Sequence, residues 1–536
     1  MKEKRKKVYQ GIFCLYTTVN LMLVYKIKGS AEVRDSWQQV YIKNFSWIDI
    51  FISTGLFCVV YLLTNIFLNK CVPKIRKFYD TYAIGQTCSQ RALFWQSFGI
   101  IFVAWFGFFL VFYPGTAMND TIYILEKPWE LSNQHPILYN LYTYGLLCLG
   151  RRLWNPDFGL ALISLVQMVA MDLILSKAIL MLYKRGTAAW FCRLLAVYFA
   201  ISPVFATYAF SAIKDTPFSI FLFALLLHLY ELADSNGEAF ASTGFRIQLA
   251  LCLFGVISFR NNGLFIVAVT AVVLIFIYKK YRKQLILLCL GVVLLQKLVV
   301  SVLMPDDVQS LFQEKVGIPL QQIGGVVVKG EVLTQEQEEY LYRLLPKEEW
   351  QNYAPCCSDV LKWNDRFDRE YLNQTKEQFI KVWGQLLVSN PSVYAEAYIL
   401  ETYGIWGIET RNKEQYYIKE IYNNDFGLEH SSPLPSAIVT LVYKYYCNRF
   451  TYRYLSMGTA FWLLFGVTLW LIYRKHYKMA VVTLPLWILF VTLLVATPIA
   501  FCFRYGFVLA MAFPFYITLP FVRKRQGGGQ HDDSTH

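Results

Sequence analysis

Six ionisable residues stand at the edges of long apolar runs: Asp120, His135, Lys214, Asp215, Arg260 and Arg504. A carboxylate such as Asp120 can deprotonate an acceptor hydroxyl, or hold a hard divalent cation that neutralises a leaving phosphate. Arg260 and Arg504 carry forked guanidinium donors and Lys214 a point charge, the two ways in which side chains grip phosphate oxygens. His135 suits metal, phosphate or the face of a sugar. Asn119, Gln134, Asp215, Asn261 and Tyr505 are the supporting polar neighbours. Each has a plainer alternative. Asn119 or Asp120 can cap a helix starting at Thr121. Pro136 suits a helix's first turn, which would leave His135 as a flanking residue. Lys214 and Asp215 can pair with each other at little gain, and a cation at a span's end can snorkel to the headgroups.

The elements that position these groups are membrane spans. The chain has 536 residues, 56% of them apolar and only 16% charged, with mean hydropathy +0.37. A soluble chain carries about 25% charged residues, so the bilayer is the solvent for most of this one. The net charge of +14 is unevenly spread. Residues 305–436 hold 12 basic and 21 acidic side chains, and the rest hold 39 and 16. The basic excess lies in short clusters between apolar runs, as the positive-inside rule expects, and anionic headgroups account for it without nucleic acid. The twelve cysteines include no CxxC pair. The one cluster, Cys356-Cys357, is a poor disulfide, and no redox role is expected.

Charge clusters and apolar lengths predict an all-α polytopic protein with about twelve spans. These run at about 8–25, 46–69, 93–112, 158–183, 188–210, 217–232, 247–259, 263–278, 284–304, 454–473, 479–500 and 505–522. Both termini are then cytoplasmic and the six ionisable residues share the outer face. Residues 137–150 are too short to cross and read as an interfacial helix. The stretch 247–259 is also short, so either the bilayer thins there or Arg260 lies at membrane depth. The predicted organisation is a membrane bundle at 1–304 with an outer loop at 113–157, an acidic outer segment at 305–450, three spans at 451–525, and a disordered tail at 526–536. The stretch Gly317–Gln322 is amphipathic and either covers a cavity or packs within that outer segment. No P-loop or GxGxxG is present, and every predicted inner loop is short, so no nucleotide cofactor is expected.

The order of these features resembles the GT-C superfamily of integral-membrane glycosyltransferases: an acid in the first large outer loop (Asp120), then a His-Pro element (His135-Pro136) before an interfacial helix. Tyr113-Pro114-Gly115, Asp120, His135-Pro136, Lys214-Asp215-Thr216-Pro217, Arg260-Asn261-Asn262-Gly263 and Arg504-Tyr505 also resemble the bacterial DUF6020 family of multi-spanning proteins. The resemblance implies transfer of a sugar from a polyprenyl-phosphate donor to a glycan, lipid or protein acceptor at the outer face of a bacterial cell membrane. It makes Asp120 and His135 catalytic and gives the donor phosphate to Lys214, Arg260 and Arg504. It leaves open a divalent metal, Mg or Mn, with Asp120 as candidate ligand. The second oxygen would have to come from Glu126 or Asp215, because Asn119 and Thr121 flank Asp120 where many members carry a second acid. A transporter or flippase, or a polymerase or ligase, of lipid-linked glycans is the competing expectation.

Overall fold

A computed structural model describes residues 2–28, 40–82, 88–127, 135–303, 312–408, 410, 420–447 and 455–521. The expected tail at 526–536 and the supporting residue Gln134 lie outside the described residues. In chain order the first half contains α1 (Lys2–Lys26), a two-residue antiparallel pair β1 (Ile27–Lys28) and β2 (Tyr41–Ile42), α2 (Trp47–Ile66), and α3 (Val72–Tyr82). Then follow α4 (Gln90–Val111), β3 (Thr116–Ala117), α5 (Asn119–Glu126), α6 (Ile137–Leu153), α7 (Pro156–Lys184), α8 (Ala189–Ile201), α9 (Pro203–Phe210), β4 (Ser211–Ala212), α10 (Asp215–Asp234), α11 (Thr243–Phe259), α12 (Gly263–Ile277) and α13 (Arg282–Leu303).

Among the described residues seven helices are long and apolar enough to cross a membrane: Glu3–Lys26, Trp47–Phe78, Gln90–Val111, Pro156–Lys184, Asp215–Asp234, Lys279–Leu303 and Tyr477–Ala496. The chain is therefore a helical, multi-pass membrane protein. The pair α8 and α9 would make an eighth span, but it bends by 61° where one straight span is expected over 188–210. The cause is Pro203, which has no N–H to donate and pushes Ser202 out of the helical region, to ψ 116°. The expected spans at 247–259, 263–278 and 454–473 are helices of 17, 15 and 17 residues. The last expected span shrinks to Phe507–Tyr516, with Pro514 inside it.

α10 is apolar on every side and nearly all of it is buried, so it forms the axis of the bundle. α7 and α11 pack against it, as does the C-terminal helix Phe507–Tyr516, so the C-terminal end of the chain shares one core with its middle. α7 starts where the Asn155 side chain accepts the Phe158 N–H at 2.8 Å with Pro156 in the first turn, a strong start signal. A second apolar core, including Leu320, Trp350, Phe379 and Tyr394, holds the segment after α13. Gly317–Gln322 belongs to it. Gln321 donates to the Ala354 carbonyl at 2.6 Å, and the Trp383 indole donates to Gln322 at 2.8 Å. That stretch packs within the segment after α13.

The two ends of the bundle differ chemically. At the C-terminal end of α7 and α10, Arg185 pairs with Asp234. Lys280 pairs with Glu238 at 2.8 Å, and Lys478 reaches Asn236 at 3.3 Å. Close to the start of the chain, Arg5 donates to the Ile472 carbonyl. The six ionisable residues gather at the other end.

Candidate functional site

The loop after α4 is fixed before any charged group enters it. Gly115 has φ of +121°, the left-handed region that only glycine occupies without strain, and a side chain there would strike Ser164 Oγ and the Phe210 carbonyl oxygen, the latter at 2.8 Å. Ser164 uses that space to donate to Phe210 O at 2.8 Å. β3 then pairs in parallel with β4, Thr116 facing Ser211 and Ala117 facing Ala212. Thr121 binds the Ala212 carbonyl and lies 3.0 Å from the Tyr139 hydroxyl, tying α5 to α6 and β4. These contacts bring the residues after Ala117 beside those after Ala212.

Asp120 lands in the first turn of α5. Met118 is the N-cap, and no side chain caps the helix, so the capping role that Asn119 or Asp120 could have filled is not used. Asn119 is exposed. The Asp120 carboxylate instead meets two cations through one oxygen: Arg504 Nη1 at 3.5 Å and Lys214 Nζ at 4.0 Å. Burial alone would raise its pKa, but Arg504 and Lys214 outweigh it, and the carboxyl is held down at about 2. It therefore stays ionised while its side chain keeps 37% of its exposure.

His135 precedes Pro136, which is the N-cap of α6 and not its first residue. The imidazole is buried, and its Nδ1 takes the Lys214 ammonium at 3.0 Å. Burial first, and the neighbouring Lys214 charge second, push its pKa down to about 3. His135 is thus a neutral acceptor for Lys214. The Lys214 pKa is itself lowered by burial, against the opposing pull of Asp120 and Asp215.

Lys214 and Asp215 do not pair with each other. Asp215, fully buried at the start of α10, accepts from Arg260 Nη1 at 2.7 Å. Arg260 ends α11 in an extended conformation, and Gly263 makes the turn to α12, where a side chain would collide with the Val256 carbonyl. The Arg260 guanidinium also lies 4.9 Å from the Tyr505 ring centroid and 5.6 Å from that of Phe218, within cation–π range. Asn261 is exposed, and Asn262 reaches Thr492 at 3.1 Å. Arg504, in the short turn Phe503–Gly506, stands between the carboxylates, with Nε 3.9 Å from Asp215 Oδ2. All six candidates therefore meet in one cluster.

The donor set does not fit a divalent metal. Asp120 faces two fixed cations, Asp215 is engaged by Arg260, and His135 Nδ1 holds Lys214. Glu126 turns away to accept the Asp425 N–H at 2.8 Å. Among the described residues no three His, Cys, Asp or Glu side chains converge on one point.

Sequence reasoning missed several contributors. Residues 420–432 cross the loop as a strap. Ala117 donates to Glu420 O at 3.2 Å and accepts from Tyr422 at 3.0 Å, Ser431 N donates to Tyr113 O at 2.9 Å, and Ser432 donates to Leu110 O at 2.8 Å. No local motif marks such a long-range contact. Cys356 and Cys357 lie buried against the stretch before Arg504, Cys356 O accepting from Ala500 N at 2.9 Å. Asp172, fully buried within α7 and bonded to Ser176 at 3.1 Å, stands out on inspection as an acid inside a span.

No curated protein and no solved structure matches the chain. One family model does, over residues 56–534, a range that includes every residue of this cluster. The chain belongs to the family of unknown function DUF6020.

Proposed function

We propose that this protein is a GT-C-type glycosyltransferase that moves a sugar from a polyprenyl-phosphate donor to an acceptor on the outer face of the membrane. The observation that carries this is the flanking of Asp120 by Arg504 and Lys214 at one end of the bundle, while Arg185, Lys280 and Lys478 gather at the other. If those clusters face the cytoplasm, the site opens outward. The remaining expected spans are then the shorter apolar helices, and both termini are cytoplasmic.

In the proposed reaction the donor phosphate sits on Arg504 and Lys214, with charge-assisted bonds. Its negative charge offsets the field that holds the Asp120 pKa at about 2, so the carboxylate becomes a stronger base. Asp120 takes the proton of an acceptor hydroxyl. The acceptor oxygen bonds to the anomeric carbon, and the carbon–oxygen bond to phosphate breaks. The electron pair leaves on polyprenyl phosphate, and Arg504 and Lys214 stabilise the charge. His135 keeps Lys214 in place. Asp215 holds Arg260, which stacks on Tyr505. Asp120→Asn in a membrane preparation with a defined donor is expected to lose transfer by about a hundredfold or more, and full activity in that variant rejects the assignment.

A flippase draws support from Asp172, because an ionisable group buried in a span often marks a pathway. Translocation of a lipid-linked glycan in proteoliposomes, abolished by Asp172→Asn, would favour it over transfer.

A further inference from the structure

Arg504 is held in an unusual way. Its side chain is only 14% exposed, and a buried guanidinium ordinarily spends its donors on carboxylate or carbonyl oxygens. Here, among the described residues, Nε donates to Cys502 Sγ at 3.3 Å, Nη1 donates to Met118 Sδ at 3.4 Å, and the oxygen partner, Asp120 Oδ2, is at 3.5 Å. Thiol and thioether sulfurs are weak acceptors. Asp215 Oδ2 is fully buried, has no hydrogen-bond partner among the described residues, and lies 3.9 Å from Arg504 Nε, beyond bonding distance. A buried cation short of oxygen partners is costly unless a ligand completes it.

We propose that Met118 and Cys502 set the anion affinity of this site: their sulfurs orient the Arg504 guanidinium without satisfying it, which leaves its N–H groups for phosphate oxygens. The inference rests on the anion-binding role given to Arg504 above. Met118 comes from the N-cap of α5, and Cys502 directly precedes the turn that carries Arg504. Each is therefore tied to an element that already positions the cluster. An oxygen acceptor in either place would form a stronger bond to the guanidinium, which an incoming phosphate would have to break.

The test uses the full chain in lipid nanodiscs, with polyprenyl phosphate and inorganic phosphate as separate probes. Cys502→Ser is compared with Cys502→Ala, and Met118→Gln with Met118→Leu. The oxygen-bearing member of each pair is expected to bind about tenfold more weakly than its apolar counterpart. A purely structural role predicts the opposite order at position 502, because serine is the closer isostere of cysteine. Melting temperatures of the four variants separate misfolding from lost affinity. Binding of polyprenyl phosphate alone, in the expected order, supports the inference and names a lipid-borne phosphate as the ligand. The same order with inorganic phosphate as well supports it for any phosphate. Equal affinities within each pair, or serine binding more tightly than alanine, overturn the role of the sulfurs and leave the anion site standing. If the wild-type protein binds neither probe, the anion site itself fails and the inference with it.

Discussion

His135 gives the sharpest quantitative handle on the cluster. Its imidazole is buried and accepts the Lys214 ammonium through Nδ1 at 3.0 Å. Burial and the adjacent cation hold its pKa at about 3, whereas a histidine in an unfolded chain titrates near 6.5. The fold thus keeps the ring neutral, and unfolding lets it take up a proton in the window between those values. Stability is complete above about pH 6.5 and is lost as the pH falls through the window. At about pH 5.5, one unit below the free value, the loss is about 1.4 kcal/mol, with a similar increment for each further unit. His135→Asn removes the titration and keeps an acceptor oxygen for Lys214. Unfolding midpoints of wild type and variant are compared in detergent at about pH 7.5 and 5.5. The wild type is expected to lose about 1.4 kcal/mol more than the variant over that interval. Parallel losses would refute a buried, neutral His135, and with it the geometry that points Lys214 at Asp120.

Two further outcomes follow from the packing. Arg260→Met and Asp215→Asn are each expected to cost about 3–5 kcal/mol of stability, and the double variant less than the sum, because either single change strands a buried charge; additive losses in a double-mutant cycle argue against the pair. Gly263→Ala is expected to destabilise by about 1–3 kcal/mol, since its side chain meets the Val256 carbonyl at the turn that carries Arg260; an unchanged melting temperature would contradict that close approach.

The cluster was legible because its members announce themselves one at a time. Asp120, His135, Lys214, Asp215, Arg260 and Arg504 each sit where an apolar run ends, and the expected topology groups those ends together. Their partners were not legible. Lys214 and Asp215 are neighbours in the chain, yet successive side chains leave the backbone in different directions: one reaches His135 and the other Arg260. Arg260 and Arg504 read alike as phosphate ligands in the sequence, but the pairing of Arg260 with Asp215 and its two ring contacts commit it. Arg504, with sulfur neighbours, is the less satisfied of the two. Sulfur gives no hydrogen-bond signal in a sequence, so Met118 and Cys502 passed as ordinary apolar residues. The strap at 420–432 reaches the Asp120 loop from about 300 residues away, through backbone groups that every sequence carries. Among the helices, the spans expected at about 8–25 and 93–112 follow from length and hydropathy and are met by Glu3–Lys26 and Gln90–Val111, while the bend at Ser202–Pro203 depends on one proline that a window average hides.

The most direct measurement is an electron-microscopy structure of the full chain in lipid nanodiscs with polyprenyl phosphate bound. Phosphate density is expected within about 4 Å of both the Arg504 guanidinium and Lys214 Nζ, beside Asp120, with the polyprenyl chain leaving between helices into the bilayer. Phosphate density elsewhere on the protein, with Arg504 still on Met118 and Cys502, would contradict that placement.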